Sequence, residues 1–173
     1  MNIENWLLHK GISPITADLL IKHLPKEENE EPYIDYFTAD YIMQYNDREV
    51  PKKNGYIEVG STLNGTSIVL DVRDKSGAIY YLPIGILESL DDPRPLAIKV
   101  GADPDSFMKN SFSDDFPCTH WDAIKLLSES ERNRIVNQIH YGCDEMPSKE
   151  ELDKELEEAI KEDPDLAGFG DDF

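Results

Sequence analysis

One block of 28 residues, 55–82 (GYIEVGSTLNGTSIVLDVRDKSGAIYYL), limits the folds open to this chain more than any other feature. It contains three short runs rich in β-branched and aromatic residues, at 56–59, 67–72 and 78–82. Asn-Gly at 64–65 and Asp-Lys-Ser-Gly at 74–77 separate these runs. Such residues are favoured where a tight turn needs a positive φ angle. The block therefore predicts an antiparallel β-meander.

Helix start and stop signals flank this block on both sides. Ser13-Pro14 combines an N-cap residue with proline at the first helical position. Ser-x-x-Glu capping boxes begin at Ser128 and at Ser148, and Gly142 is a stop signal between them. These signals predict one helix before the meander and two near the end of the chain.

Three further segments complete the predicted elements. Residues 33–43 (YIDYFTADYIM) suit either a helical face or a strand, and we predict a helix. Residues 97–100 predict a short extra strand, and residues 103–112 predict a short helix. Aromatic residues recur at helical spacing in the first of these segments, at Tyr33, Tyr36, Phe37 and Tyr41. This spacing favours a buried stripe, with an exposed interface patch as the alternative.

Four short motifs follow one another along the chain, at 57–60 (IEVG), 68–71 (IVLD), 79–81 (IYY) and 102–107 (ADPDSF). Together they resemble the SUKH superfamily, a domain of fungal cell-wall regulators and of bacterial immunity proteins against polymorphic toxins. The last motif departs from the family pattern by the inserted Pro104-Asp105. The resemblance covers roughly residues 13–112. It implies an α+β fold and a role in binding and neutralising a cognate toxin domain.

We predict an α+β fold in a single domain, with an antiparallel sheet of about four to six strands and helices packed on one side. This domain is predicted to occupy residues 1–143, a length that can bury a proper core. A helical extension with an acidic tail is predicted to follow at residues 144–173. That segment holds 13 acidic and 3 basic residues.

The net charge of −19 constrains the partners. An acidic surface repels phosphate backbones, so direct binding to nucleic acid is not expected. The same charge attracts basic proteins, although it also serves solubility alone. No apolar run approaches the ~20 residues that a membrane-spanning helix needs, and no secretory signal is recognisable at the N-terminus. With two cysteines, which do not make a disulfide framework, the expected location is the cytoplasm.

The residue types that carry chemistry form no convincing catalytic or metal site. Cys118-x-His120 and His140-x-x-Cys143 supply zinc-type ligands, but the first spacing is cramped and the second pair spans a helix end. An enzyme that uses Cys118 would need an electropositive setting, which an acidic chain does not favour. Neighbouring carboxylates, such as Asp71 and Asp74, fit turn support better than catalysis. We therefore predict no catalytic residue, no metal and no cofactor.

The predicted function is that of a non-enzymatic, immunity-type protein. As the resemblance implies, it would bind and neutralise a cognate, basic toxin domain in the cytoplasm, as a monomer or a homodimer. The alternative is a housekeeping regulatory adaptor with no toxin partner. Charged residues in predicted loops are the candidate partner contacts: Asp91, Asp92, Asp114 and Asp115.

Overall fold

The computed structural model describes residues 1–27, 34–47, 55–82, 94–142, 145 and 147–162. These residues divide into two compact units, the first ending at Ser128 and the second beginning at Glu129. The first unit has the predicted α+β fold, and the described elements of the second are helices. The predicted start of the acidic extension, at residue 144, stays a prediction.

The first unit contains, in chain order, α1 (Ile3–His9), α2 (Pro14–Ile21), β1 (Ile34–Tyr36), α3 (Ala39–Asn46), β2 (Tyr56–Thr62), β3 (Ser67–Asp71), β4 (Ile79–Leu82), a 3-10 turn (Arg94–Leu96), β5 (Ile98–Gly101), α4 (Pro104–Asn110) and α5 (His120–Ile124). The second unit contains α6 (Glu129–Tyr141) and α7 (Lys149–Glu162). Over the described part of the chain, none of these helices has the length and apolar character needed to cross a membrane.

The five strands form one antiparallel sheet in the order β1-β2-β3-β4-β5. Because β2, β3 and β4 all come from residues 55–82, the predicted meander is confirmed, as is the extra strand near 97–100. The turn between β3 and β4 ends at Gly77, whose φ of 77° lies in the left-handed region that glycine adopts without strain. Every neighbouring pair of strands is antiparallel and consecutive in the chain, so this sheet contains no crossover connection.

The single helix predicted over residues 33–43 is wrong. Ile34–Tyr36 is a strand, which pairs with β2, and α3 begins only at Ala39. The break lies at Thr38, whose backbone is extended and whose hydroxyl accepts a hydrogen bond from the Tyr41 N–H at 3.4 Å. Thr38 is therefore an N-cap in the middle of a segment whose apolar spacing resembles one helix.

The aromatic residues of this segment do not form one buried stripe. Tyr36 is 1% exposed and belongs to the sheet, whereas Tyr41 is 38% exposed on α3. Phe37 is half-buried between them, and Tyr33 lies outside the described residues. The prediction of a buried stripe is thus wrong for Tyr41, because the strand and the helix turn these side chains in different directions.

An aromatic cluster joins α4 to the sheet. The Phe107 ring lies 5.6 Å from the Tyr36 ring and 6.2 Å from the Tyr81 ring, between centroids, and all three side chains are fully buried. The Tyr36 hydroxyl donates a hydrogen bond to the Pro104 carbonyl at 3.0 Å. Each buried ring contributes about 2 kcal/mol of transfer free energy, so this cluster fixes α4 on one face of the sheet.

Asn46 substitutes for a missing strand at the edge of β2. Strand β1 pairs only with residues 60–62, so the backbone of Glu58 lies beyond its end. The Asn46 amide, on a residue 2% exposed, donates to the Glu58 carbonyl and accepts from the Glu58 N–H, each at 2.7 Å. One side chain thereby satisfies a buried backbone donor and acceptor that a longer β1 would have paired.

Helix ends follow the predicted capping residues. Ser13 Oγ accepts a hydrogen bond from the Thr16 N–H at 3.1 Å at the start of α2. The capping box at Ser148 is confirmed, because its N–H donates to the Glu151 carboxylate at 2.8 Å and its hydroxyl accepts from the Glu151 N–H at 3.3 Å. At the end of α6, Gly142 has a φ of 70°, as expected of a stop signal.

Candidate partner-binding groove

A groove of about 320 Å³ lies in the segment that runs from the end of α4 to just beyond α5. Its lining combines three carboxyl groups, a thiol and apolar side chains: Asp114, Asp115, Phe116, Pro117, Cys118, Asp122 and Leu126. We call this the acidic groove. Its volume suits one or a few side chains of a partner, at the lower end of the range for small-molecule pockets.

The loop on one side of the groove is fixed to the core. The Phe116 ring packs edge-on against the Phe107 ring, with 5.6 Å between centroids. The carbonyl of Pro117 accepts a hydrogen bond from the buried Tyr81 hydroxyl at 2.9 Å. The sheet and α4 therefore hold this loop in place, so the groove is anchored before any partner binds.

The first turn of α5 forms the other side. Thr119 is its N-cap: the hydroxyl accepts from the Asp122 N–H at 3.1 Å and donates to Asp122 Oδ2 at 2.7 Å. Cys118 precedes the N-cap of α5, Asp122 lies in the first turn of the helix and Leu126 follows its end. A thiol, a carboxylate and an apolar side chain thereby line the same groove.

The surroundings of the groove favour the ionised form of the Asp122 carboxyl group and the protonated form of the Cys118 thiol. The Lys125 ammonium, 2.9 Å from Asp122 Oδ1, and the Thr119 hydroxyl lower the pKa of Asp122. Desolvation, followed by the hydrogen bond that Cys118 Sγ donates to Asp122 Oδ2 at 3.4 Å, raises the pKa of the Cys118 thiol. A raised pKa leaves this sulfur a poor nucleophile at neutral pH, so the arrangement suits binding of cations better than covalent catalysis.

Large apolar side chains are exposed in the same segment. Leu126, in the groove, is 73% exposed, and Phe112 is 72% exposed just after α4. Trp121, on α5, is 47% exposed. Trp is enriched at the centres of protein interfaces, and apolar groups beside charged ones are typical of a surface that binds another protein. This segment therefore combines exposed apolar surface with charged side chains.

The structure brings together two of the four predicted partner contacts. Asp114 and Asp115 both line the acidic groove and are exposed. Asp91 and Asp92 lie outside the described residues. The sequence reasoning missed Asp122, although Thr119-x-x-Asp122 has the spacing that marks the start of a helix and was a readable signal.

Of the four candidate zinc ligands, the first unit contains Cys118 and His120. His120 is buried, and neither ring nitrogen has a hydrogen-bond partner among the described residues. His140 belongs to the second unit, and Cys143 lies outside the described residues. Within the described ranges, no group of three or more His, Cys, Asp or Glu side chains could hold a metal ion.

No protein-family model, curated protein or solved structure matches this chain.

Proposed function

We propose that this protein is a non-enzymatic binding protein whose acidic groove receives a basic protein partner. One observation carries the proposal: the groove places three carboxyl groups beside exposed apolar surface, on a loop anchored to the core. Apolar contacts supply affinity at such surfaces, while the charges select a basic partner and orient it.

The charge of the whole chain supports the same partner class. A net charge of −19 produces a negative potential that attracts a basic protein and speeds its encounter with the groove. Salt screens such attraction over a Debye length of about 8–10 Å at physiological ionic strength. Association should therefore slow, and binding weaken, as salt is raised.

The role that fits this chemistry is that of an immunity-type protein, as the resemblance to the SUKH superfamily implies. The partner would be a cognate toxin domain in the cytoplasm, and binding would block its active site or its substrate surface. A nuclease toxin carries a basic surface for its substrate, and an acidic groove would occupy that surface by imitating the phosphate backbone electrostatically.

Affinity capture from lysate of the source cell, at low and at high salt, tests the proposal when it is followed by an activity assay. The expected result is one basic enzyme that binds at low salt, is released by high salt, and loses its activity when this protein is added back. A captured set of neutral regulatory proteins would contradict the proposal and favour an adaptor. A captured basic enzyme whose activity is the same in the complex as alone would also contradict the proposal.

A further inference from the structure

Three aromatic side chains beside the sheet form a row that is separate from the acidic groove. Phe37, Tyr41 and Tyr45 are four residues apart, and the last two lie on one face of α3. The ring centroids are 4.6 Å apart for Phe37 and Tyr41 and 5.7 Å apart for Tyr41 and Tyr45. The planes of the two tyrosine rings differ by only 12°. We call this row the aromatic ladder.

The middle ring of the ladder is open to solvent. Tyr41 is 38% exposed, whereas the next residue, Ile42, is fully buried in the core. The fold therefore does not depend on burying Tyr41, and part of its ring surface remains available to a partner. Exposed aromatic rings that already stack on neighbours are rigid, so binding to them orders few side chains.

Two acidic residues lie next to this row of rings. The carboxyl group of Glu58 accepts hydrogen bonds from Ser67 and from Tyr45, the last ring of the ladder, and burial raises its pKa. Glu58 is 7% exposed, and its Oε2 is without a hydrogen-bond partner in the described structure. The exposed carboxylate of Asp40 lies in the first turn of the same helix. Because burial favours the neutral form of Glu58, the carboxylate available to a cationic ligand beside the exposed Tyr41 ring is that of Asp40, the preceding residue.

We propose that the aromatic ladder binds an arginine side chain of a basic protein partner. A guanidinium group is planar, stacks on aromatic faces and pairs with carboxylates, whereas a lysine ammonium lacks the planar face. Nucleobases also stack on rows of aromatic rings, but the net charge of −19 repels their phosphates. The proposal uses none of the groove residues and does not depend on the function proposed for the groove.

This proposal is tested by titrating the full chain with matched peptides while the NMR signals of Tyr41 and Tyr45 are monitored. The probes are Gly-Arg-Gly-Arg-Gly and the same peptide with lysine or citrulline in place of arginine. We expect the arginine peptide to shift both signals and to bind most tightly of the three. Tyr41→Leu should lower its affinity roughly two- to fivefold, the size expected of an exposed cation–π contact. Tyr41→Phe keeps the aromatic face and should bind as the wild type does.

Ile15→Ala, at an exposed position on α2 outside both the ladder and the acidic groove, is the matched control and should leave the arginine peptide's affinity unchanged. Equal affinities for the arginine and lysine peptides would overturn the proposal, because they would reduce the effect to charge alone. An unchanged affinity of Tyr41→Leu would also overturn it. Aromatic rows also bind polyproline helices. The proposal would therefore be overturned if a proline-rich peptide shifted the ladder signals and the arginine peptide did not.

Discussion

Two acidic segments of the first unit use their carboxylates in opposite ways. In the turn between β3 and β4, Asp71 holds Arg73 through two contacts, from Nε to Oδ1 at 2.7 Å and from Nη2 to Oδ2 at 3.2 Å. Asp74 accepts hydrogen bonds from the Tyr80 hydroxyl at 2.6 Å and from the Ser76 N–H at 2.9 Å. The predicted role of Asp71 and Asp74 in supporting this turn is confirmed.

The acidic groove lacks such internal pairing at its outer edge. Across the described ranges, no hydrogen bond or ion pair engages the side chain of Asp114 or of Asp115. Both residues are exposed and adjacent, so their charges repel each other without compensation from the fold. Only Asp122, deeper in the same groove, has a lysine partner.

Acidic residues that look alike in the sequence therefore have different roles, which depend on the partners that the fold gives them. Carboxylates that are satisfied within the fold stabilise it, and their loss should lower stability. Carboxylates that the fold leaves unpaired contribute little to stability and remain available to a partner. Mutations in the two segments should therefore separate stability from binding.

The largest expected effect concerns His120, at the start of the helix that carries the groove. Burial lowers the pKa of His120 from 6.5 to about 4. Between pH 6.5 and pH 4 the unfolded chain takes up a proton that the folded chain does not, so the free energy of unfolding falls as the pH falls. The loss amounts to about 3 kcal/mol over this window, at about 1.4 kcal/mol per pKa unit.

Chemical denaturation at a series of pH values measures this loss. His120→Leu removes the titrating imidazole and should flatten the fall between pH 6.5 and pH 4, while leaving the changes that come from carboxyl groups, among them Glu58 with its raised pKa. A fall of the same size in His120→Leu would show that His120 does not carry the effect.

Asp71→Ala should produce the next largest effect. It removes the carboxylate that binds the Arg73 guanidinium and the Arg73 N–H in a site where Asp71 is 8% exposed. We expect a loss of about 2 kcal/mol in the free energy of unfolding, since a hydrogen bond to a charged group contributes about 1.5–3 kcal/mol and Arg73 is partly exposed. Urea denaturation measures the loss, and a variant as stable as the wild type would contradict the structural role of Asp71.

Tyr80→Phe tests the same turn with a smaller change. It removes only the hydroxyl that donates to Asp74, so the expected loss is about 1 kcal/mol. Because this hydrogen bond is the main reason why the pKa of Asp74 is lowered, the pKa should rise toward its usual value in the variant. A carboxyl NMR titration measures this pKa, and an unchanged value would show that Ser76 and Lys99, not Tyr80, lower it.

The sheet was predictable from the sequence because its strands and turns are local. β2, β3 and β4 lie within 28 residues, and the turn residues mark their ends. Strand β1 was not predictable, because its pairing with β2 is long-range. A strand of three residues is also too short to show a periodicity. The backbone contacts of Asn46 are likewise invisible to sequence patterns, since any polar side chain in a helix has the same appearance.

The acidic groove was predictable only in part. Asp114 and Asp115 stand out as adjacent charges in a loop between predicted helices. The contributions of Phe116 and Pro117 depend on their contacts with Phe107 and Tyr81, which tertiary packing determines. Sequence patterns identify a charged loop, and the fold decides whether that loop is held against an apolar surface.

The double variant Asp114→Asn, Asp115→Asn separates the role of the groove in binding from its role in folding when the stability and the binding of the variant are measured together. Asp153→Asn with Glu157→Gln removes the same charge from exposed positions on α7 and serves as the matched control. We expect both variants to keep the free energy of unfolding of the wild type within about 0.5 kcal/mol. The groove variant alone should lose about tenfold in affinity for the captured basic partner at low salt. Equal affinity of the two variants, or a loss of stability confined to the groove variant, would contradict the claim that the groove carboxylates serve binding and not the fold.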